Sequence, residues 1–388
     1  MTSAPAFRDF DPGRFLAAHW QKDPLLIRNP WREWRNPLPP DELAGLACEA
    51  GVESRLIQKI AAEQLDLEHG PLSPEKFGEL ERHPWTLLVQ AVDHHVPAVA
   101  ALLDRFRFIP NWRVDDVMVS YAVDGGGVGA HFDMYDVFLV QGLGRRRWRI
   151  GQRCDESTAL RPHDGLRLLA HFEPTAEWVL GPGDILYIPP GFAHEGVAVG
   201  DDCMTYSIGF RAPSSGELLS AWVDHALDGL TDDDRYTDPD QSVQDNPGEI
   251  SNRALDRAHE MVTQSLSDRA GFAHWFGEYT TAPKSDQLDW APAPPVSMQD
   301  VRFAMEAGAT IERNPASRFA FVYHGEGSVT LFVDGVAQEC SGVAADFAEG
   351  LCAASAIRID AALAVSEQVT ALIRDLVNRG CVAFAEND

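Results

Sequence analysis

Two histidines and an aspartate stand out in the sequence because their types and spacing suit a metal site. His131 and Asp133 are separated by one residue in GVGAHFDMYDVF, and His194 follows PGDILYIPPGFA. In an extended chain residues i and i+2 share a face, so His131 and Asp133 are expected to point the same way. Two imidazoles and one carboxylate on a common face hold non-haem Fe(II) and leave coordination positions open. His131, Asp133 and His194 are therefore predicted to bind Fe(II).

A second candidate lies in the arginine-rich run GRRRWRI, residues 144–150. Strand alternation places the apolar Trp148 and Ile150 inward, and Arg146 shares their parity. An arginine inside a barrel needs an anion, and a planar guanidinium binds a carboxylate through two parallel hydrogen bonds. An organic acid bound beside the metal would supply that carboxylate. An internal ion pair with an Asp or Glu is the alternative.

These side chains need a β-rich scaffold, and the sequence between Val114 and Arg211 provides one. Short β-rich runs are separated there by glycine and proline turns; the runs are VMVSYAV, YDVFLVQG, RWRIG, DILYIPPG and MTYSIGFRAP. This pattern is typical of an antiparallel barrel or a two-sheet jelly roll. The strands that carry His131 and His194 are expected to lie side by side.

The segments that flank this β-rich region have a different residue pattern. Residues 1–110 are predicted to be mostly helical with loops, including PDELAGLACEAG and PWTLLVQAVDHHVPAVAALLDRF. Residues 217–260 are acidic and predicted to be helical, with a loop at DDDRYTDPDQSVQDNPGE, and the proline-rich TTAPKSDQLDWAPAPPV indicates a linker. Residues 296–388 are predicted to form a small α+β domain. Its last helix, SEQVTALIRDLVNRG, precedes the short strand CVAFA, as in a winged helix.

Composition limits the function classes. Across the 388 residues, 32 basic and 59 acidic side chains give a formal net charge of −27. This charge argues against nucleic acid or an anionic membrane as the main partner and is compatible with a basic protein or a cationic substrate. We expect no signal peptide, and no apolar run approaches the length of a membrane span. Six scattered cysteines without a C-x-x-C pair are typical of reduced thiols in a cytoplasm.

Several strings together resemble a known family. GVGAHFDMYDVFLVQGLGRRRWRIG, PGDILYIPPGFAHEG and YSIGFRAP are similar to the JmjC-type cupin ribosomal oxygenases of bacteria. The likeness extends to HWQKDPLLIR, LPPDELAGLA, HPWTLLVQAVDHH and HWFGEY, and so covers nearly the whole chain. The resemblance implies a 2-oxoglutarate- and Fe(II)-dependent dioxygenase, with O2 as co-substrate, that hydroxylates the β-carbon of an arginine in large-subunit ribosomal protein sixteen.

The resemblance also implies an architecture. A JmjC cupin, a double-stranded β-helix with N-terminal helices, is expected in residues 1–215, with its core at about 95–213. A helical dimerisation region is expected in residues 216–282 and a winged-helix-like domain in residues 283–388. A homodimer is therefore expected.

Site residues carry over from the family by position. The metal ligands correspond to His131, Asp133 and His194. The co-substrate arginine corresponds to Arg146, in agreement with the parity argument, and Ser120 is a hydroxyl partner for the co-substrate. The residues that would line the substrate channel are Asp116, Met118, Tyr135 and Ser207.

Other interpretations remain open at this point. A JmjC hydroxylase or demethylase of another protein residue (histidine or methyl-lysine) fits the same motifs, and so does a metal cupin that does not use 2-oxoglutarate. The expected partner is a basic ribosomal protein of the large subunit, without nucleic acid or membrane. Asp116, Asp136 and Glu195 are candidates for holding its guanidinium group. A non-catalytic module built around the winged helix is disfavoured by the intact ligand set.

Overall fold

The computed structural model describes residues 7–61, 64–80, 83–284, 289–359, 363 and 365–385. The two sheets of a double-stranded β-helix dominate its first half. The first sheet has eight strands in the order β1-β9-β6-β11-β5-β4-β2-β3, and the second has three strands in the order β10-β7-β8. The strands are β1 Leu25–Ile27, β2 Ser54–Ala61, β3 Gln64–His69, β4 Trp85–Val89, β5 Val114–Ala122, β6 Asp136–Leu143, β7 Arg146–Arg153, β8 Ala176–Leu180, β9 Ile185–Ile188, β10 Phe192–Ala198 and β11 Cys203–Phe210.

Every β-rich run predicted between Val114 and Arg211 forms a strand. The eight-stranded sheet is continuous because β11 pairs with both β5 and β6, and its neighbouring strands are antiparallel. Its outer face packs on the helices and loops of the first hundred residues, in an aromatic core around Phe138 and Phe106, whose rings are 4.9 Å apart. The inner face of the eight-stranded sheet lines a cavity.

The prediction that residues 1–110 are mostly helical is wrong. Short helices are present at α1 Pro12–Ala18, α2 Pro40–Leu46, α3 Val92–His95 and α4 Pro97–Ala100, with 3-10 turns at Pro74–Glu79, Ala101–Phe106 and Asn111–Arg113. Strands β2, β3 and β4 occupy much of the remainder and extend the main sheet. The run WTLLV is buried at four of its five positions, and a short continuous apolar run does not distinguish a buried strand from a helix.

Three helices follow the barrel. They are α5 Ser215–Asp228, α6 Asn252–Leu266 and α7 Arg269–Thr281. Ser214 and Glu217 form a reciprocal capping box that begins α5. Trp222 of α5 packs edge-on against Phe272 of α7, with ring centroids 5.3 Å apart. By contrast, α6 buries no residue and the acidic loop before it is exposed.

The C-terminal domain has its own core and two small sheets. The strand orders are β16-β12-β17 and β13-β14-β15, and helices α8, α9 and α10 cover them. The bounds are α8 Met298–Glu306, β12 Thr310–Arg313, β13 Phe319–Gly325, β14 Ser328–Val333, β15 Val336–Ser341, α9 Val343–Ala353, β16 Ala356–Arg358, α10 Glu367–Asn378 and β17 Val382–Phe384. The predicted closing pair, α10 followed by a short strand, is present. Part of the predicted linker, residues 285–288, lies outside the described residues.

Polar contacts tie this domain to the barrel. Asn111 Nδ2 donates to the carbonyl of Cys352 at 2.7 Å, and Arg318 pairs with Asp115 at 3.2 Å. Among the described residues no helix is long and apolar enough to span a bilayer.

Candidate metal centre and co-substrate cavity

His131, Asp133 and His194 meet at one end of the cavity between the two sheets. One ligand atom from each residue lies within 4.8 Å of the other two. Asp133 Oδ2 is 3.9 Å from His131 Nε2 and 3.6 Å from His194 Nε2. His131 and Asp133 are on a loop rather than in a regular strand, but an isolated antiparallel bridge pairs His131 with His194. The expected juxtaposition is therefore reached through that bridge.

Backbone carbonyls orient both imidazoles. Nδ1 of His131 is 3.0 Å from the carbonyl oxygen of Gly129, and Nδ1 of His194 is 2.9 Å from that of Phe192. When Nδ1–H donates to these carbonyls, each Nε2 carries the lone pair and faces Asp133. Burial and, second, the neighbouring His131 together lower the pKa of His194 to about 4. His194 is therefore neutral at pH 7 and available as a ligand.

Close backbone approach holds the loop that carries His131 against β10. Gly127 bridges to Val197, and a Cβ on Gly127 would lie 2.4 Å from the carbonyl oxygen of Gly196. The amide of Gly191 donates to the carbonyl of Asp133 at 2.7 Å. A side chain at position 127 would push the loop away from β10 and move the ligands apart.

The donor set fits a divalent transition metal. Two neutral imidazole nitrogens and one carboxylate oxygen on one side are the ligands that non-haem Fe(II) sites use, and the other side opens to a cavity of about 320 Å³. The residues therefore fit the predicted metal.

Arg146 lies in the wall of the same cavity, as the parity argument predicted. It is 3% exposed, whereas its neighbour Arg147 on the opposite face is exposed. Nε of Arg146 contacts Cys203 Sγ at 3.4 Å, and its guanidinium is 5.7 Å from the ring centre of Trp148. Nη2 of Arg146 and Nε1 of Trp148 are buried and have no acceptor in the described part of the chain. Two unpaired donors in one cavity wall fit the distal carboxylate of a 2-oxo acid.

The internal ion pair that was the alternative partner for Arg146 is absent among the described residues. Within the part of the chain that the structure describes, no carboxylate lies within 4.0 Å of its guanidinium. Ser120 also lines the cavity and is 2% exposed, and Thr205 faces it from the paired position on β11.

Three of the four predicted channel residues line this cavity: Met118, Tyr135 and Ser207. Tyr135 lies at its mouth and is 43% exposed. Desolvation and the carboxylate of Asp133, which accepts the Tyr135 hydroxyl, raise the pKa of Tyr135 above its ordinary value. The phenol therefore stays protonated and can donate a hydrogen bond.

Asp116 is placed differently from the prediction. It shares the inward face of β5 with Met118 and Ser120, but its carboxylate is not part of the cavity wall. It accepts from Lys284 Nζ at 2.7 Å and from Gln90 Nε2 at 2.8 Å. A substrate guanidinium would reach Asp116 only by displacing Lys284.

The other two acidic candidates, Asp136 and Glu195, already bind other groups of the protein. Asp136 is fully buried and accepts from Tyr187, Gln21 and Arg113. Glu195 pairs with Arg149. Both carboxylates already have cationic or hydroxyl partners, so a substrate guanidinium would have to displace or share those partners.

Sequence analysis missed two arginines of the cavity. Arg55 of β2 lines it beside Leu88, and the described residues offer its guanidinium no hydrogen bond or ion pair. The signal was the alternation in SRLIQKIA, which the helical interpretation of this region hid. Arg167 lies on the loop between β7 and β8 that covers the mouth.

Comparisons with known proteins agree with this geometry. A model described as a JmjC domain matches residues 101–218, and a ROXA-like winged-helix model matches residues 264–383. The ribosomal protein uL16 3-hydroxylase of Escherichia coli is 41% identical over 300 residues, which are 77% of this chain and 79% of that protein. A probable ribosomal oxygenase of Haemophilus influenzae is 41% identical over 233 residues, 60% of this chain and 55% of that protein.

Solved structures match across almost the whole chain. An X-ray structure of E. coli YcfD superposes with a TM-score of 0.88 at 34% identity, covering 97% of this chain and 99% of that one. A structure of YcfD with cobalt and 2-oxoglutarate superposes with a TM-score of 0.84 at 34% identity, covering 98% and 100%.

Proposed function

Because the chain belongs to the JmjC-domain ribosomal oxygenases, which are metal- and 2-oxoglutarate-dependent enzymes, we propose that it hydroxylates an arginine of large-subunit ribosomal protein uL16 at the β-carbon. The observation that carries the proposal is the convergence of the His131–Asp133–His194 ligand set and the unpaired Arg146 on one cavity. Binding of the metal or of 2-oxoglutarate at another site would not explain why the ligand set and the unpaired Arg146 share one cavity.

The bound Fe(II) and 2-oxoglutarate supply oxidising power, because oxidative decarboxylation of the co-substrate is coupled to insertion of oxygen into a C–H bond. The chain's own residues position the reactants. His131, Asp133 and His194 hold one side of the metal, and Arg146 anchors the distal carboxylate of the co-substrate. Ser120 offers that carboxylate a hydroxyl group. The apolar wall at Leu139 and Val137 excludes water from the reacting centre.

The substrate residue reaches the metal through the mouth of the cavity. Tyr135, Met118 and Ser207 line that route, and the Tyr135 hydroxyl donates toward Asp133. A net charge of −27 favours capture of a basic ribosomal protein before assembly, and a substrate of that class supports a cytoplasmic location. Raising the salt concentration should therefore slow substrate capture.

The decisive experiment incubates the protein with Fe(II), 2-oxoglutarate, O2 and recombinant uL16, and locates the oxygen by tandem mass spectrometry. We expect a gain of one oxygen atom on one arginine, with matching succinate release. The same assay with histidine-bearing and methyl-lysine peptides tests the alternative substrates. Oxygen on a histidine, or loss of a methyl group, would replace the arginine proposal.

Loss of 2-oxoglutarate dependence would instead indicate a metal cupin of another kind. A spectrum recorded without O2 separates this outcome from a wrong substrate. A metal-to-ligand charge-transfer band on adding 2-oxoglutarate to the Fe(II) protein needs no protein substrate. We expect the band in the wild type and its loss in His131→Ala.

We also propose that the α5–α6 pair forms a homodimer contact. Leu227 at the end of α5, Leu230 just after it and Val262 of α6 are 57%, 46% and 62% exposed and line one groove. A two-fold axis would cover the groove with the same surface of a second copy. Light scattering should give the mass of two chains for the wild type and of one chain for Leu227→Asp. A monomeric wild type would refute the contact.

A further inference from the structure

A cavity distinct from the metal centre lies where the barrel, α7 and the winged-helix domain meet. Its volume is about 90 Å³, against roughly 30 Å³ for one water molecule in the liquid. Four arginines from three separate segments line it: Arg107, Arg211, and the pair Arg313 and Arg318 of the β12–β13 connection. Two come from the barrel side and two from the C-terminal domain.

Two of these four arginines have carboxylate partners among the residues that the structure describes. Arg107 Nε donates to Asp104 at 2.7 Å, and Arg318 Nη2 is 3.2 Å from Asp115 Oδ1. In the described ranges, no carboxylate lies within 4.0 Å of the guanidinium of Arg211 or Arg313. Two positive charges at this cavity are therefore uncompensated by ion pairs.

The contacts of these two arginines leave donors for a ligand. Arg211 Nη2 donates to the carbonyls of Trp112 and Thr280 at 3.0 and 2.6 Å, while its Nε is buried without an acceptor among the described residues. Arg313 Nη1 donates to the carbonyl of Leu351 at 3.1 Å, and its guanidinium lies 4.3 Å from the ring centre of Phe319. Carbonyls and an aromatic face orient the guanidinium groups but do not neutralise them.

The acidic residues in the lining do not remove this excess. Asp115 is shared between Arg318 and Lys284. Asp93 is 2% exposed, and burial raises its pKa to about 7, so at neutral pH it carries only part of a charge. Burial and, second, a neighbouring arginine of the cavity together lower the pKa of Arg211 and of Arg313 to about 10.

We propose that this cavity binds a compact oxyanion of the phosphate class, which joins the winged-helix domain to the barrel. Planar guanidinium forks that approach from several directions match the oxygens of a tetrahedral anion, whereas a single planar carboxylate takes one fork. Arg211 and Arg313 supply the uncompensated charge. The anion is bound by both parts of the chain, so its binding stabilises their contact.

The test measures thermal unfolding and calorimetric binding of the full chain with inorganic phosphate and with sodium chloride at equal ionic strength. We expect phosphate to raise the melting temperature well beyond the effect of chloride, with one site per chain. Arg313→Gln should weaken phosphate binding about tenfold or more, because it removes one charged fork. Arg358→Gln, on the exposed strand β16 of the same domain, is the matched control and should bind phosphate like the wild type.

A nucleoside monophosphate tests the source of the anion. Binding equal to that of inorganic phosphate assigns the site to phosphate esters, and weaker binding assigns it to the free ion. Equal stabilisation by phosphate and chloride, or an undiminished affinity in Arg313→Gln, would overturn the proposal. Should Arg313→Gln not fold, Arg313→Lys keeps the charge without the fork and is expected to bind phosphate more weakly than the wild type.

Discussion

Replacing Arg146 with methionine distinguishes the stability that is lost by burying its charge from the contribution of that charge to 2-oxoglutarate binding. In the protein without co-substrate, Nη2 of Arg146 is buried and has no acceptor among the described residues. A buried unpaired polar group costs stability, so Arg146→Met should leave the free protein as stable as the wild type or more stable. A purely structural arginine would give the opposite result.

The effect on 2-oxoglutarate should be large. Removing one partner of a buried, hydrogen-bonded charge pair costs about 2–5 kcal/mol of binding, which corresponds to roughly 30-fold to several thousand-fold in affinity. We expect the lower part of this range because the free arginine already bears a desolvation cost. Arg146→Lys should recover part of the loss, since a lysine offers the charge without the fork.

The assay is titration of the Fe(II) protein with 2-oxoglutarate in the absence of O2, read by the charge-transfer band. Arg147→Met is the matched control, because Arg147 is the next residue of the same strand, faces solvent and lies 3.8 Å from Glu177. Its affinity should stay within about twofold of the wild type, as expected for an exposed pair. An affinity within threefold of the wild type in Arg146→Met would refute the co-substrate role.

Three further predictions follow from the same structure. His131→Ala should lower Fe(II) affinity, measured by metal titration, by more than roughly 100-fold, which is the loss typical when a residue hydrogen-bonded to a metal ligand is replaced. Replacing the exposed His171 with alanine should leave the Fe(II) affinity unchanged. Asp93 has a folded-state pKa of about 7 against 3.8, so the wild type should lose up to about 4 kcal/mol of unfolding free energy as the pH rises from 4 to 7. Asp93→Asn should flatten that pH profile, and an unchanged slope would contradict the burial argument. Lys284→Met should lower the unfolding free energy by about 2 kcal/mol, because it leaves the nearly buried Asp116 without its cation. Unchanged denaturant midpoints would show that the hydrogen bond from Gln90 alone is enough to stabilise the Asp116 carboxylate.

The candidate metal ligands and the inward position of Arg146 could be predicted from the sequence because each rests on short-range rules. His131 and Asp133 are two residues apart, and the inward position of Arg146 follows from the parity of one strand. The turns at Gly183 and Gly191, both with positive φ, mark the ends of the strand between them. Local spacing and alternation are properties of the chain itself, so these residues needed no tertiary information.

Local spacing and alternation do not determine the secondary structure of residues 54–89. The apolar run of β4 is compatible with a helix or a buried strand, and pairing with β2 and β5 decides between them. The cavity residue Arg55 follows from that pairing and was therefore missed. Its neighbours in space, Leu88 and Ser120, are 33 and 65 positions away along the chain.

The sequence by itself determined which residues are the candidate metal ligands, which arginine faces inward and that a β-rich unit carries both. Only the tertiary structure decided the partners of the acidic residues. Asp116 shares the face of Met118 and Ser120, yet its carboxylate is held by Lys284, which is 168 residues away in sequence. The cavity of four arginines is likewise assembled from segments that the barrel and the winged helix bring together. Charge pairing depends on distances between remote segments, and strand alternation cannot specify those distances.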